Sequence, residues 1–152
     1  MSGGTLKENT EKWTKELMAP GWVAFPTVIL ERQQALGLDP VDVNILLQIA
    51  KYWWFKDSLP FPSKKAIADC IGRTESTVRR RIAEMERDGL IKRKLRRSPK
   101  HGGQTSNEYS FDGLIKAATP YAIEAIQEKE KRKKEDAERR TRKNPRIKQI
   151  KE

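Results

Sequence analysis

The stretch "IADCIGRTESTVRRRI", Ile67 to Ile82, decides how this chain folds. It carries two apolar helical patterns separated by Gly72, Arg73 and Thr74, and the second pattern holds three consecutive arginines, Arg79, Arg80 and Arg81. Two helices meeting steeply across so short a turn need a small residue at the crossing and a residue tolerant of positive φ in the turn. Ala68 and Gly72 supply these. Facing apolar residues come from Ile67 and Ile71 on the first helix and from Val78 and Ile82 on the second, with Met85 extending the stripe. Ser63 and Thr74 stand where hydroxyl caps are wanted, which predicts helices from Lys64 to Ile71 and from Glu75 to Arg87, the latter closed by Gly89.

Three like charges side by side repel, so they form either a solvated face or the seat of a polyanion. With Val78 facing the core and ~100° per residue, Arg80 and Arg87 lie close to opposite, at ~200° and ~180°. Ser76 and Ala83 flank them, with Thr77 and Arg79 further round. Of these, Ser76, Thr77, Arg79 and Arg80 sit near the helix N-terminus, where free backbone N–H groups and the dipole also favour an anion.

Charge along the rest of the chain is unevenly spread. The 152 residues carry a formal +11. Residues 64–103 hold 13 basic against 5 acidic groups, net +8, and residues 127–152 hold 12 against 6, net +6. Residues 1–63 have 6 against 7 and residues 104–126 have 1 against 3, so both are slightly acidic. Two basic blocks of this size are footprints of nucleic acid or, less often, of an anionic membrane surface.

Enzymes and metal proteins fit poorly. Catalysis needs a converging acid, base, nucleophile or metal, and the chain has one cysteine, Cys70, and one histidine, His101. Cys70 sits in an apolar helical pattern and is expected in the core. No zinc set, phosphate-binding glycine loop, catalytic residue or cofactor site is expected. No apolar run approaches the ~18 residues of a membrane span, and no signal-peptide core stands at the start, so a cytoplasmic location without a membrane partner is expected.

Upstream of the opening stretch, residues 1–20 form at most a short helix ended by Pro20 and Gly21. "GWVAFP" reads as extended, and "TVILERQQALG" as a helix ended by Gly37. Another helix is predicted from about Pro40, capped by Asp39, with Val43, Leu46, Leu47, Ala50 and Trp54 at helical spacing. Either Trp53 or Trp54 should close the core and leave the other exposed, since adjacent helical residues cannot both point inward. "KDSLPFPS" breaks this helix.

Downstream, "LIKRKLRR" and "SNEYSF" read as two strands of a hairpin joined by "SPKHGGQT". Ile91 and Leu95 should face the core, with Lys92, Lys94 and Arg96 opposite and Tyr109 and Phe111 inward on the return strand. Arg93 falls on the apolar side, where the pattern offers it no role. A helix should begin near Leu114 and be interrupted at Thr119-Pro120. Beyond Ile126 the helical pattern continues with no apolar face, which predicts a basic arm, helical or disordered, and not a coiled coil.

Residues of about 40–112 resemble the winged helix-turn-helix domains of bacterial transcription regulators and of phage and plasmid replication proteins. The resemblance is carried by "PFPSKKAIADCIGRTESTVRRRIAEMERDGLIKRKLRR" followed by "GGQTSNEYSF" and covers roughly half the chain. In that family the second helix enters the major groove and the hairpin, or wing, touches the neighbouring backbone. The resemblance thus implies Thr77, Arg79 and Arg80 in the groove, and Arg96, Arg97, Lys100 and His101 on the wing. Lys64, Lys65, Arg73, Ser76, Arg87, Lys92 and Lys94 complete the expected DNA-binding set.

The expected architecture is mainly α with a small β-hairpin wing. It comprises an N-terminal, partly helical extension (1–39), a winged helix-turn-helix domain (40–112), a packing helix (113–126) and a basic tail (127–152). The expected partner is double-stranded DNA, with a homodimer as a candidate assembly and no small-molecule substrate. The expected role is a small sequence-specific transcriptional regulator of a bacterial, plasmid or phage element. Alternatives are a replication-initiation protein, or a winged-helix interaction module in a nucleoprotein assembly.

Overall fold

Ser63 Oγ accepts a hydrogen bond from the Ala66 N–H at 3.0 Å, and Thr74 Oγ1 from the Thr77 N–H at 3.1 Å. The two helices of the opening stretch begin at these caps. The computed structural model describes residues 5–98, 103–104 and 107–143. In it, helix α5 spans Lys64–Ile71 and helix α6 spans Glu75–Arg87. Between them Gly72 takes the left-handed conformation (φ 68°, ψ 39°), and its N–H donates to the Ala68 carbonyl. That geometry is why the turn needs glycine.

Earlier helices are α1 (Leu6–Trp13), α2 (Lys15–Met18), α3 (Thr27–Glu31) and α4 (Pro40–Ala50). Asp39 caps α4 reciprocally: its side chain accepts from the Asp42 N–H at 2.8 Å, and its own N–H donates to Asp42 Oδ2 at 3.0 Å. The predicted helix ending at Gly37 is shorter than its pattern suggested, since regular helix stops at Glu31 and turns fill the remainder to Gly37.

After α6 come β1 (Lys92–Lys94), β2 (Arg97–Ser98), β3 (Gly103–Gln104) and β4 (Glu108–Ser110). β1 pairs antiparallel with β4, Arg93 opposite Tyr109, and β2 pairs with β3 as a separate ladder. The Tyr109 N–H donates to the Pro60 carbonyl at 2.9 Å, so the extended segment before α5 lies against β4. Helix α7 (Asp112–Thr141) closes the described chain.

One core joins these elements. Ile45, Leu46, Ile49, Val78 and Ile82 are fully buried, and Ile67, Ala68, Met85, Ile91, Tyr109, Phe111 and Leu114 nearly so. Ile29 and Leu38 upstream and Ala118 downstream belong to the same cluster. α4 therefore contributes a wider stripe than the one predicted, through Ile45 and Ile49. It also ends at Ala50, so Trp54 is not on it and is exposed, while Trp53 packs over Phe111 with ring centroids 5.4 Å apart.

Three other expectations are corrected. Leu95 is exposed, because the ladder with β4 ends at Lys94 and a second ladder starts at Arg97, so the alternation does not carry across. Cys70 is exposed. It lies ~100° round α5 from the centre of the stripe formed by Ile67, Ala68 and Ile71. Finally, α7 runs through Pro120 without a break. Proline removes one backbone donor, but Lys116, whose carbonyl loses it, is exposed to water, and the Thr119 hydroxyl donates back to the Ile115 carbonyl.

Candidate nucleic-acid interface

The three arginines of α6 have three different environments. Arg81 turns inward: its guanidinium pairs with Asp39 and lies 3.9 Å from both Asp42 and Glu84. It fastens α6 to the N-terminus of α4. Burial holds the Asp42 carboxyl above its usual range, against the hydrogen bond from the Asp39 N–H, and Asp42 Oδ1 has no hydrogen-bond partner among the described residues. Arg79 is exposed and pairs with Glu75 one turn earlier at 3.1 Å. Arg80 is exposed and, among the described residues, makes no ion pair. Of the three, Arg80 is the cation most available to a ligand.

Around it lie the other residues of the first turns. Ser76 is exposed, and the half-buried Thr77 hydroxyl shares a 2.9 Å hydrogen bond with Thr74 Oγ1. Lys64, at the start of α5, is half-buried close to this turn. Its ammonium is held below the usual lysine range by burial first, then by the positive charges of Arg93 and Arg79. A lysine crowded in this way by neighbouring positive charge gains from an incoming anion. The region is positively charged by construction.

The wing is tied to α6 by Arg93. Its backbone N–H and Nε donate to Glu86 Oε2 at 2.9 and 3.0 Å, and its Nη2 donates to Glu86 Oε1 at 2.9 Å. This bidentate pair explains a cation on the apolar side of β1, because that side faces Glu86 rather than hydrocarbon. The Arg93 hydrogen bonds hold the Glu86 carboxyl below its usual range. Its stabilising effect is therefore complete above the unfolded carboxyl pKa, about 4.3, and is lost as pH falls through the lower folded value. Glu86→Gln should cost about 1 kcal/mol at pH 7, discounted for partial exposure. In paired urea titrations that cost should be constant above about pH 5 and shrink as pH falls below the unfolded carboxyl pKa, about 4.3. A difference that did not shrink below that value would show that the pair does not act through charge.

Lys92 and Lys94 point to solvent on either side of Arg93. The Arg96 guanidinium lies 3.6 Å from the centroid of the Phe61 ring and 4.0 Å from Glu108. Lys65 pairs with Asp69 at 3.0 Å, and Arg73 donates to the Gly72 carbonyl at 3.2 Å. Arg87 is exposed beside Asp88, on the azimuth of Arg80 but two turns further along α6. Arg97 lies in β2, and Lys100 and His101 fall outside the described residues. The structure thus gathers Lys64, Arg79 and Arg93 at the junction of α5, α6 and β1, with Arg80 on the outer face and Arg87 apart from it.

Sequence reasoning missed Phe61, Glu75 and Glu86 as supports of these cations. Arg93 at a core-facing strand position was the available signal for Glu86, since a buried-side cation needs an acid. Phe61, between two prolines, offered none.

Among the described residues no helix is long and apolar enough to cross a membrane, and no group of three or more His, Cys, Asp and Glu side chains could hold a metal ion. The arrangement is a winged helix-turn-helix, and a family of helix-turn-helix domains matches residues 36–91. The N-terminal domain of DnaD protein from Geobacillus kaustophilus HTA426 shares the fold, with TM-score 0.53 and 19% identity over 78% of this chain and 96% of that one. A possible transcriptional regulator from Methanosarcina mazei Go1 aligns with TM-score 0.40 and 19% identity over 69% and 85% of the two chains. No curated protein matches the chain.

Proposed function

We propose that this chain is a sequence-specific duplex-DNA-binding protein acting as a small transcriptional regulator. The observation that carries the reading is the surface at the start of α6. There Arg80 and Ser76 face outward beside Arg79, and Lys64 is crowded by the positive charges of Arg79 and Arg93. α6 enters the major groove by its first two turns, where arginine reads guanine edges by paired hydrogen bonds. Lys92 and Lys94, on the wing beside it, neutralise phosphates and carry no sequence information. The Arg79–Glu75 pair opens on contact, because a phosphate replaces the carboxylate at an exposed site where such pairs are weak.

Selecting bound sequences from random duplexes supplies the preferred site for the test. Arg80→Ala should weaken binding to that site by about 1–3 kcal/mol, roughly tenfold to a hundredfold, with a smaller effect on random duplex. Lys92→Ala with Lys94→Ala should weaken both similarly. Equal losses for Arg80→Ala on the two duplexes would make Arg80 a phosphate contact and would overturn the assignment of base reading to it.

A further inference from the structure

Helix α7 changes chemistry along its length without changing the side it presents. With Leu114 at 0° and ~100° per residue, the buried Leu114 and Ala118 and the half-buried Tyr121 and Ala122 fall between about −20° and 80°. That side seats on the domain, where the Arg32 guanidinium lies 5.4 Å from the Tyr121 ring centroid. It continues past Pro120, since Tyr121 and Ala122 keep it. From Ile123 to Lys143 every residue is exposed. On this overhanging length Lys129, Arg132, Lys133, Arg139 and Arg140 fall between about −20° and 100°. One acid, Asp136, shares their sector, whereas Glu128, Glu130, Glu135 and Glu138 lie outside it with Lys131 and Lys134.

The sorting has a physical meaning. A helix kept soluble only by mixed charge has no reason to segregate its signs, and i,i+4 pairing would mix them. Among the described residues, the ion pairs on this stretch are Glu124 with Arg32 at 4.0 Å, at its very start, and Arg139 with Asp136 at 3.4 Å. Lys129, Arg132, Lys133 and Arg140 remain for a ligand along a row about 16 Å long. Duplex DNA carries one phosphate charge per ~1.7 Å of axis, so a row of that length can face several phosphates.

We propose that this overhanging face of α7 is a second DNA-backbone contact, a row of cations that tracks one phosphate strand beside the domain. The proposal rests on the reading that α6 and the wing bind duplex DNA, and it adds affinity without sequence preference.

The test moves charge between faces at constant composition. The variant Lys129→Glu, Glu130→Lys, Glu138→Arg, Arg140→Glu keeps the net charge and takes two cations out of the row. Its binding to a random-sequence duplex at low salt should fall about tenfold, and the log–log salt slope should become shallower by roughly 2–3. A glutamine variant at Lys129, Arg132, Lys133 and Arg140, retaining a good helix former, should lose as much or more, with unchanged far-ultraviolet circular dichroism and melting temperature. If wild type binds duplex and the swapped protein binds equally, only net charge matters and the proposal fails alone. If wild type binds no duplex, the groove reading fails and this one with it. If the swap abolishes binding only to phosphatidylglycerol vesicles, the face meets a lipid surface and the DNA proposal is overturned.

Discussion

Gly113→Ala lowers the melting temperature by roughly 10 °C or more, although alanine is the better helix former by about 1 kcal/mol. Gly113 stands in the first turn of α7, where a Cβ would lie 1.8 Å from the Gly89 carbonyl oxygen and 2.9 Å from its carbonyl carbon. Both obstacles are backbone. They belong to the turn that ends α6, and the Leu114 N–H donates to the Leu90 carbonyl at 2.9 Å in the same place. A side chain at 113 must push α7 off that turn and lift Leu114 and Ala118 from the core, an overpacking cost of about 3 kcal/mol or more. Gly72→Ala is the comparison: its Cβ would meet no atom within 4 Å, so only the left-handed backbone opposes it, at about 1 kcal/mol. Thermal unfolding without DNA should rank Gly113→Ala well below Gly72→Ala, and both below wild type. A Gly113→Ala protein at least as stable as wild type would mean that α7 does not approach this turn so closely.

Affinity for duplex DNA falls about a thousandfold between 50 and 200 mM monovalent salt. The expectation follows from residues 64–103, with 13 basic against 5 acidic groups, folded into the unit that would contact the duplex. If about five to eight phosphates are neutralised, the log–log slope is roughly −4 to −7. Fluorescence anisotropy over a salt series measures it directly. A slope near zero, or no binding at low salt, would remove the DNA reading altogether. A steep slope with no preferred sequence would retain the binding and reject the regulator.

Local chemistry made much of this fold readable before any coordinates. Asp39, Ser63 and Thr74 cap helices because a side-chain oxygen needs only an N–H three residues on, and Gly72 turns left-handed within the same short span. Readings failed where a distant segment decides. Gly113, just before the helix expected near Leu114, gave no signal of its own, because its necessity lies in the Gly89 backbone. Leu95 followed a period-2 rule that holds only while one ladder lasts. Pro120 carried a breaker signal whose cost water absorbs on an exposed face. At the site, azimuth identified Arg80 as outward from sequence alone. The pairing of Arg93 with Glu86, and the stacking of Arg96 on Phe61, needed the fold to bring the partners together.

The Arg93–Glu86 clamp makes α6 and β1 a caliper of fixed opening. The distance from the outward face of α6 to Lys92 and Lys94 is then a property of the protein, and a bound duplex has to match it. Sequences whose grooves already fit bind at no deformation cost, while stiff or ill-shaped ones must bend or twist to comply. Base preference should therefore extend to positions between groove and wing contacts that no side chain reaches. Loosening the clamp with Glu86→Gln should flatten the preference at those positions while leaving intact the one proposed for Arg80.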